Sequence, residues 1–162
     1  MLTSAECSTF VDAMAAVPGP VAVVTTVDPS GGRWGFTASA FCSLSLDPPL
    51  VLVCLAKSAG CHRAFTGSDA FLVNVLADDQ ADIARRFGGH GRDKFAAGDM
   101  TPIELGIPGL PSAASRLVCV THSVLDGGDH SILVGRVHAA SVQERTPLVY
   151  CNRRFTSPAR SH

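Results

Sequence analysis

Apolar and polar positions near the start of the chain follow two different periods. Thr3 and Glu6 have the spacing of a capping box, and apolar residues follow at helical intervals until Pro18. This pattern predicts an amphipathic helix at the N-terminus. Segments 20–27 and 33–39 read as extended chain, the first of them rich in β-branched residues, and turn-forming Asp, Pro, Ser and Gly residues separate them. The two segments therefore predict a β-hairpin.

Further strands and two more helices are predicted in the middle of the chain. Residues 50–55 form an uninterrupted apolar run, which predicts a buried strand. Segments 60–66 and 70–76 predict a short helix and another strand. Asp78 is placed to cap a helix that ends at the glycine pair 88–89.

A long hairpin dominates the C-terminal part of the pattern. Segments 114–125 and 130–140 predict two strands joined by a Gly-rich turn, and 148–155 predicts a last strand. Strands therefore outnumber helices, and residues 132–134 are apolar on both faces, which a closed barrel buries best. We expect a mainly β, antiparallel fold. A Rossmann fold is not supported, because the chain contains neither G-x-G-x-x-G nor G-x-x-x-x-G-K-[ST].

Composition narrows the class of protein. A chain of 162 residues with 46% hydrophobic residues fits a single domain, 1–162, with its core over about 10–155. Only 17% of the residues are charged, which favours a homodimer with an apolar interface. The net charge is −1 and no basic run is interleaved with aromatic residues, so we expect no nucleic-acid partner.

The apolar runs and the cysteines indicate the cellular compartment of the protein. The longest apolar run, 48–56, is far shorter than the roughly 20 residues that span a bilayer, and the N-terminus has no secretory-signal pattern. We therefore expect a cytoplasmic protein without a membrane partner. The six cysteines form no C-x-x-C pair, so we expect neither disulfides nor a metal site.

Small hydroxyl residues cluster in segment 35–58, GFTASAFCSLSLDPPLVLVCLAKS. Thr37, Ser39 and Ser43 can direct hydroxyls and backbone amides into a groove, and a Lys-Ser pair follows the buried strand. Such donors suit the polar edge and the phosphate of a flavin mononucleotide, whose ring needs a flat apolar wall. The alternative is that alternating Ser and Thr mark the solvent face of strands.

The motif GDH, at 128–130, opens the second strand of the long hairpin. By strand alternation His130 shares a face with Ile132 and Val134, so it is not an obvious solvent-facing residue. From the residues alone, a histidine that caps a strand edge at the exit of a turn is the favoured interpretation, and a functional side chain is the alternative.

Both motifs resemble the signature of the flavin reductase family, with GFTASAFCSLSLDPPLVLVC first and GDHSILVGRV later. The resemblance extends over residues 10–155. It implies a flavin-binding split β-barrel, antiparallel and Greek-key-like with a few short helices, usually as a homodimer. It also implies hydride transfer from NADH or NADPH to FMN or FAD, and delivery of the reduced flavin to a partner flavin-dependent monooxygenase.

The resemblance assigns residues to the site as well. It implies that His130 is the catalytic residue, which presents the nicotinamide dinucleotide to the flavin. The cofactor-binding residues that it implies are Thr37, Ala38, Ser39, Ser43, Cys54, Leu55, Ala56, Lys57, Ser58, Asn74, Arg86, Phe87, Lys94 and Phe95. From the residues alone, Asn74 also fits a structural hydrogen bond in an apolar strand, and Arg86 a charge at a helix C-terminus.

Two other functions fit the same barrel. One is a non-catalytic flavin- or haem-binding carrier or sensor, against which the GDH motif argues, since a pure binder needs no histidine facing a nicotinamide. The other is an enzyme like pyridoxine-phosphate oxidase, which keeps its FMN and oxidises an amine or alcohol. Yellow colour retained through purification would favour the latter.

Overall fold

A computed structural model describes residues 1–91 and 93–158 of the chain. The helices are α1 (Ser4–Ala15), α2 (His62–Thr66) and α3 (Ala81–Gly88), with a short 3-10 helix at Glu104–Gly106. The strands are β1 (Gly19–Pro20), β2 (Ala22–Val27), β3 (Arg33–Ala38), β4 (Phe41–Leu46), β5 (Pro49–Ala56), β6 (Ala70–Val75), β7 (Thr101–Pro102), β8 (Pro108–Gly109), β9 (Ser115–Gly127), β10 (His130–Val142), β11 (Val149–Cys151) and β12 (Arg154–Thr156). The expected mainly β fold with few helices is confirmed.

Seven strands form one antiparallel sheet, in the order β3-β2-β6-β9-β10-β5-β4. This order leaves β3 and β4 as the two edges, so the described residues form an open sheet and the predicted closed barrel is not shown. Only Ser39 and Ala40 join these two edge strands, however. The edges therefore meet at this corner, and the sheet must curl to bring them together. Two small sheets, β1-β11-β12 and β7-β8, complete the strand pairing described.

The predicted β-hairpin, the buried strand and the long C-terminal hairpin all form where the pattern places them. Three details differ. The α3 N-cap is Gln80 rather than Asp78, because the Asp78 amide donates to the Thr146 carbonyl at 2.9 Å and holds that residue outside the helix. Strand β4 was not predicted. The last predicted strand is two strands, since Asn152 and Arg153 turn the chain with φ of 50° and 59°.

Two larger apolar cores lie on opposite sides of the curled sheet, and Leu72, Ile107 and Val118 form a smaller third cluster. The first is inside the curl, where the Phe36 and Phe65 rings pack edge to face with centroids 4.9 Å apart. The second lies between β2 and α3 and contains Phe87 and Phe95. Because β2 contributes side chains to both cores, its residues from Ala22 to Thr26 are buried on both faces.

Helix α1 lies outside both cores. The predicted capping box is present, with Thr3 and Glu6 bonded to each other's backbone amides, but none of the helix residues is buried. The helix is tied to the β11–β12 turn by the Arg153–Asp12 ion pair at 2.7 Å and by the Asn152 amide, which donates to the Ala15 carbonyl. Its apolar side chains are left exposed. No helix within the described residues is long and apolar enough to cross a membrane.

Candidate active site

A cleft of about 510 Å³ opens beside the corner where the two edges of the sheet meet. Strand β3 forms one side, the end of β5 and the turn before α2 form the other, and the chain after α3 covers it. The cleft contains ten of the predicted site residues, which come from five separate stretches of the chain. These are Thr37, Ala38, Ser39, Cys54, Leu55, Ala56, Phe87, Lys94, Phe95 and His130.

The open edge of β3 supplies backbone hydrogen-bonding groups to the cleft. The Gly35 carbonyl accepts a hydrogen bond from Lys94 Nζ at 3.3 Å, on the side away from β2. In an antiparallel strand the N–H and C=O of every second residue point to the same side, so those of Thr37 also face this edge. The Thr37 hydroxyl, in contrast, donates to the Ala84 carbonyl at 2.6 Å. At this position the backbone, rather than the side chain, has a donor to spare for a ligand.

Aromatic side chains form an apolar wall of the cleft. The Phe87 and Phe95 rings pack edge to face with centroids 5.2 Å apart, and both are almost fully buried. Lys94 fixes the covering chain above them, because its ammonium donates to the Phe87 carbonyl at 2.7 Å as well as to Gly35. Burial lowers the pKa of Lys94. Because both hydrogen bonds go to backbone carbonyls of the wall, the Lys94 ammonium stabilises the wall.

His130 lies at the end of the cleft nearest to β5, paired with Ala56 in the β10–β5 register. Its Nδ1 lies 2.7 Å from Asp129 Oδ1, and this contact lowers the pKa of the Asp129 carboxyl. An ionised carboxylate only accepts hydrogen bonds, so Nδ1 is the donor and Nε2 is left for another partner. Asp129 thus fixes the imidazole through Nδ1, and Nε2 is available to a ligand.

Five predicted site residues lie outside the cleft in the described structure. Lys57 pairs with Asp126, and Arg86 donates to both carboxylate oxygens of Asp99 at 2.7 and 2.6 Å. Ser43 is exposed on edge strand β4, and Ser58 is exposed beyond β5. The fifth residue is Asn74.

Asn74 is fully buried, and its amide bonds to the backbone at both ends. Its Nδ2 donates to the Val23 carbonyl at 2.9 Å, and its Oδ1 accepts from the Leu110 amide at 2.8 Å. These bonds match the structural alternative that the sequence left open.

Comparison with known proteins decides the family. The family model described as the flavin reductase like domain matches residues 14–159. The chain belongs to the flavin reductase family. It is 44% identical over 147 residues to the actinorhodin polyketide dimerase of Streptomyces coelicolor, covering 90% of this chain and 83% of that protein. It is 41% identical over 137 residues to the reductase subunit HsaB of a flavin-dependent monooxygenase from Rhodococcus jostii, covering 84% and 70%.

A solved structure of the family has the same architecture. The NADH:FAD oxidoreductase SgcE6 of Streptomyces globisporus, in complex with NAD and FAD fragments, superimposes with a TM-score of 0.90 at 34% identity. The superposition covers 98% of this flavin reductase chain and 96% of the other. The architecture described above is therefore that of a flavin reductase.

The cleft fits a flavin in size and in chemistry. Its volume lies within the roughly 300–1,000 Å³ usual for small-molecule sites. The unpaired β3 edge offers donors and acceptors to a polar ring edge, and the Phe87–Phe95 wall offers an apolar surface. Within the described residues, no group of His, Cys, Asp and Glu side chains is arranged to hold a metal ion.

Sequence reasoning assigned no site role to two residues that line the cleft at the start of β3, Arg33 and Trp34. The Arg33 guanidinium lies over the Phe95 ring, 4.9 Å from its centroid, and Trp34 Nε1 donates to Asp28 at 2.7 Å. Both residues begin the strand that carries the Thr-Ala-Ser segment. Their position on this strand is the sequence signal that could have identified them as lining residues.

Proposed function

We propose that the chain is an NAD(P)H-dependent flavin reductase that supplies reduced flavin to a partner monooxygenase. The observation that carries this proposal is the cleft, in which an open strand edge, an aromatic wall and His130 converge. Family membership supports it, and so does the similarity to a monooxygenase reductase subunit and to an NADH:FAD oxidoreductase. When bound, FMN or FAD would accept a hydride from the nicotinamide of NADH or NADPH, which is chemistry that belongs to the two cofactors.

The protein's task in this reaction is to bind and to orient. The backbone N–H and C=O of Thr37, which face the open edge, would hold the polar edge of the flavin. Phe87 and Phe95 would exclude water from one side of the ring, since both are buried in the wall behind it. No strong acid or base is needed, and the wall contributes none.

His130 would orient the nicotinamide dinucleotide. Its Nδ1 is fixed by Asp129, so the free Nε2 keeps one direction and can serve as a hydrogen-bonding group to the second substrate. The side chain is 43% exposed, which leaves it accessible from the cleft mouth. The histidine would therefore act as a binding and orienting group, held in place by the neighbouring carboxylate.

We also propose that the protein is a homodimer. Large apolar side chains are exposed on α1 and on edge strand β4, including Phe10 at 59% and Leu46 at 92%. Exposed apolar patches of this kind mark association surfaces. A second copy of the chain is the occupant that the family resemblance implies.

The test of the function is the consumption of NADH or NADPH by catalytic amounts of purified protein with excess FMN or FAD. We expect absorbance at the reduced-nicotinamide band to fall at a rate that saturates with added flavin. Flavin binding without consumption would instead indicate a carrier or sensor. A flavin that stays bound and is reduced by an amine or alcohol, but not by NAD(P)H, would indicate an oxidase.

A further inference from the structure

Arg33 is a cleft cation without an ion pair in the part of the chain that the structure describes. The other lysine or arginine of the described lining, Lys94, is engaged by two backbone carbonyls. Arg33 stacks on the Phe95 ring instead. Stacking covers one face of a guanidinium and leaves its in-plane N–H groups able to donate to an anion.

Trp34 follows Arg33 on edge strand β3, so its side chain starts from the other face of the strand, and a hydrogen bond orients the indole. Its Nε1 donates to Asp28 Oδ2 at 2.7 Å, and the other oxygen of that carboxylate accepts the Ser30 and Gly32 amides at 2.9 and 2.8 Å. The turn and the indole are thereby fixed to each other. Trp34 nevertheless stays 38% exposed and lines the cleft, so part of a flat aromatic surface faces a ligand.

The backbone of these two residues lies at the opposite end of β3 from the corner of the cleft. Arg33 begins β3, and Ser39 lies at the corner beside β5. Six strand positions span about 20 Å. Suppose that the reacting ring of a dinucleotide lies at the corner, beside Thr37 and His130. Its phosphates and its second base are then directed along β3, toward Arg33 and Trp34.

We propose that Arg33 and Trp34 form a subsite for the adenosine diphosphate part of a dinucleotide. Arg33 binds the phosphates as a planar donor, and Trp34 stacks on the adenine. The subsite deepens the proposed function and rests on it. FAD and the nicotinamide dinucleotides both contain this group, so the chemistry is common to the two substrates and the experiment must separate them.

Trp34 is the only tryptophan of the chain, so its fluorescence reports on this subsite alone. Titration of the purified protein with ADP should change the emission saturably, and adenosine should do so with lower affinity. In Arg33→Gln, ADP binding should weaken by about tenfold, which corresponds to about 1.4 kcal/mol, because a charge-assisted hydrogen bond to the phosphates is lost. For adenosine, which has no phosphate, binding should stay unchanged in this variant.

Arg136→Gln is the matched control, since Arg136 is exposed on β10 and is absent from the described lining of the cleft. It should bind ADP like the wild type. Trp34→Leu should weaken the binding of both ADP and adenosine. Calorimetry measures binding to this variant, because it has lost the fluorescent side chain. The subsite is refuted if ADP leaves the wild-type emission unchanged, or if the Arg33 and Arg136 variants bind ADP equally.

Inhibition kinetics then identify the dinucleotide. ADP competitive with FAD would assign the subsite to the flavin, and ADP competitive with NAD(P)H would assign it to the hydride donor. Competition with neither would overturn the proposal. Because ADP titration requires no turnover, the subsite and the reductase activity can fail separately: a wild type without flavin-dependent NAD(P)H consumption rejects the function whatever the titration gives.

Discussion

The Phe87 ring occupies the space that a side chain on residue 35 would need. A β-carbon placed on Gly35 would lie 2.7 Å from Phe87 Cε1 and 3.3 Å from the Val24 carbonyl. Helix α3 can pack directly on β3 only because this residue has no side chain. The aromatic wall of the cleft therefore depends on a glycine in the opposite element.

Gly35→Ala should destabilise the protein and weaken flavin binding. Overpacking of this kind costs about 1–3 kcal/mol, which is several degrees in Tm for a chain of this size. Thermal unfolding and flavin titration measure the two effects. Gly60→Ala is the control for stability, because a β-carbon there would contact nothing within 4 Å. Equal Tm values for the two variants would contradict the packing argument.

His130→Ala should raise the KM for NAD(P)H by about tenfold, the effect of one lost hydrogen bond, with little change in flavin affinity. Steady-state kinetics with each substrate varied in turn measure this split. Asp129→Asn should give a smaller change in the same direction, because it removes the ionic partner of Nδ1 but keeps the imidazole. A larger loss of flavin affinity than of NAD(P)H affinity would reject the orienting role.

Asn74→Ala should lower stability without a specific effect on the flavin. It leaves the Val23 carbonyl and the Leu110 amide without their side-chain partner. Each buried polar group left unpaired costs about 1–3 kcal/mol. Thermal unfolding should show the loss. A folded variant with normal Tm but weakened flavin binding would instead make Asn74 a cofactor ligand.

Trp34 emission should respond to acid at an unusually low pH. Hydrogen bonds from Ser30, Trp34 and Gly32 lower the pKa of Asp28 from 3.8 to about 2. The folded state favours the ionised carboxylate of Asp28. The stabilisation that this carboxylate gives the folded turn is therefore complete above pH 3.8 and is lost as the pH falls through about 2. Asp28→Asn should abolish the transition in this window. Far-UV circular dichroism on the same samples separates it from global unfolding.

The oligomeric state can be tested at the two exposed apolar surfaces. Sedimentation should give a dimer for the wild type. Phe10→Glu or Leu46→Glu should shift the mass toward the monomer, since each places a charge among exposed apolar side chains. Arg136→Gln serves as the surface control. A monomeric wild type, or dimers unaffected by both substitutions, would refute the proposed interface.

The local pattern of apolar and polar residues was enough to predict most helices and strands. It failed where apolar positions along a strand are exposed rather than buried. The capping box at Thr3 and the β2–β3 hairpin were found because their signals are contiguous. In β4, Ser43 alternates with apolar neighbours as a strand should, yet Leu44 and Leu46 are exposed. The alternation there did not mark a core face, and the hydroxyls were interpreted as a ligand cradle instead.

The candidate site was predictable where its residues are consecutive in the sequence, at the end of β3 and just after it. Thr37, Ala38 and Ser39 line the cleft together because neighbouring positions follow the same edge. The basic residues were harder, since a cation turns toward a cleft only when no carboxylate engages it. Lys57 meets an aspartate 69 positions away, and no local pattern indicates that contact.

Two cysteine sulfurs line the cleft, at Cys54 and Cys61. Burial raises the pKa of both thiols. Oxidants attack the thiolate, and its fraction at neutral pH falls as the pKa rises. The desolvation that packs them into the walls thus also keeps the two thiols in their less reactive, protonated form.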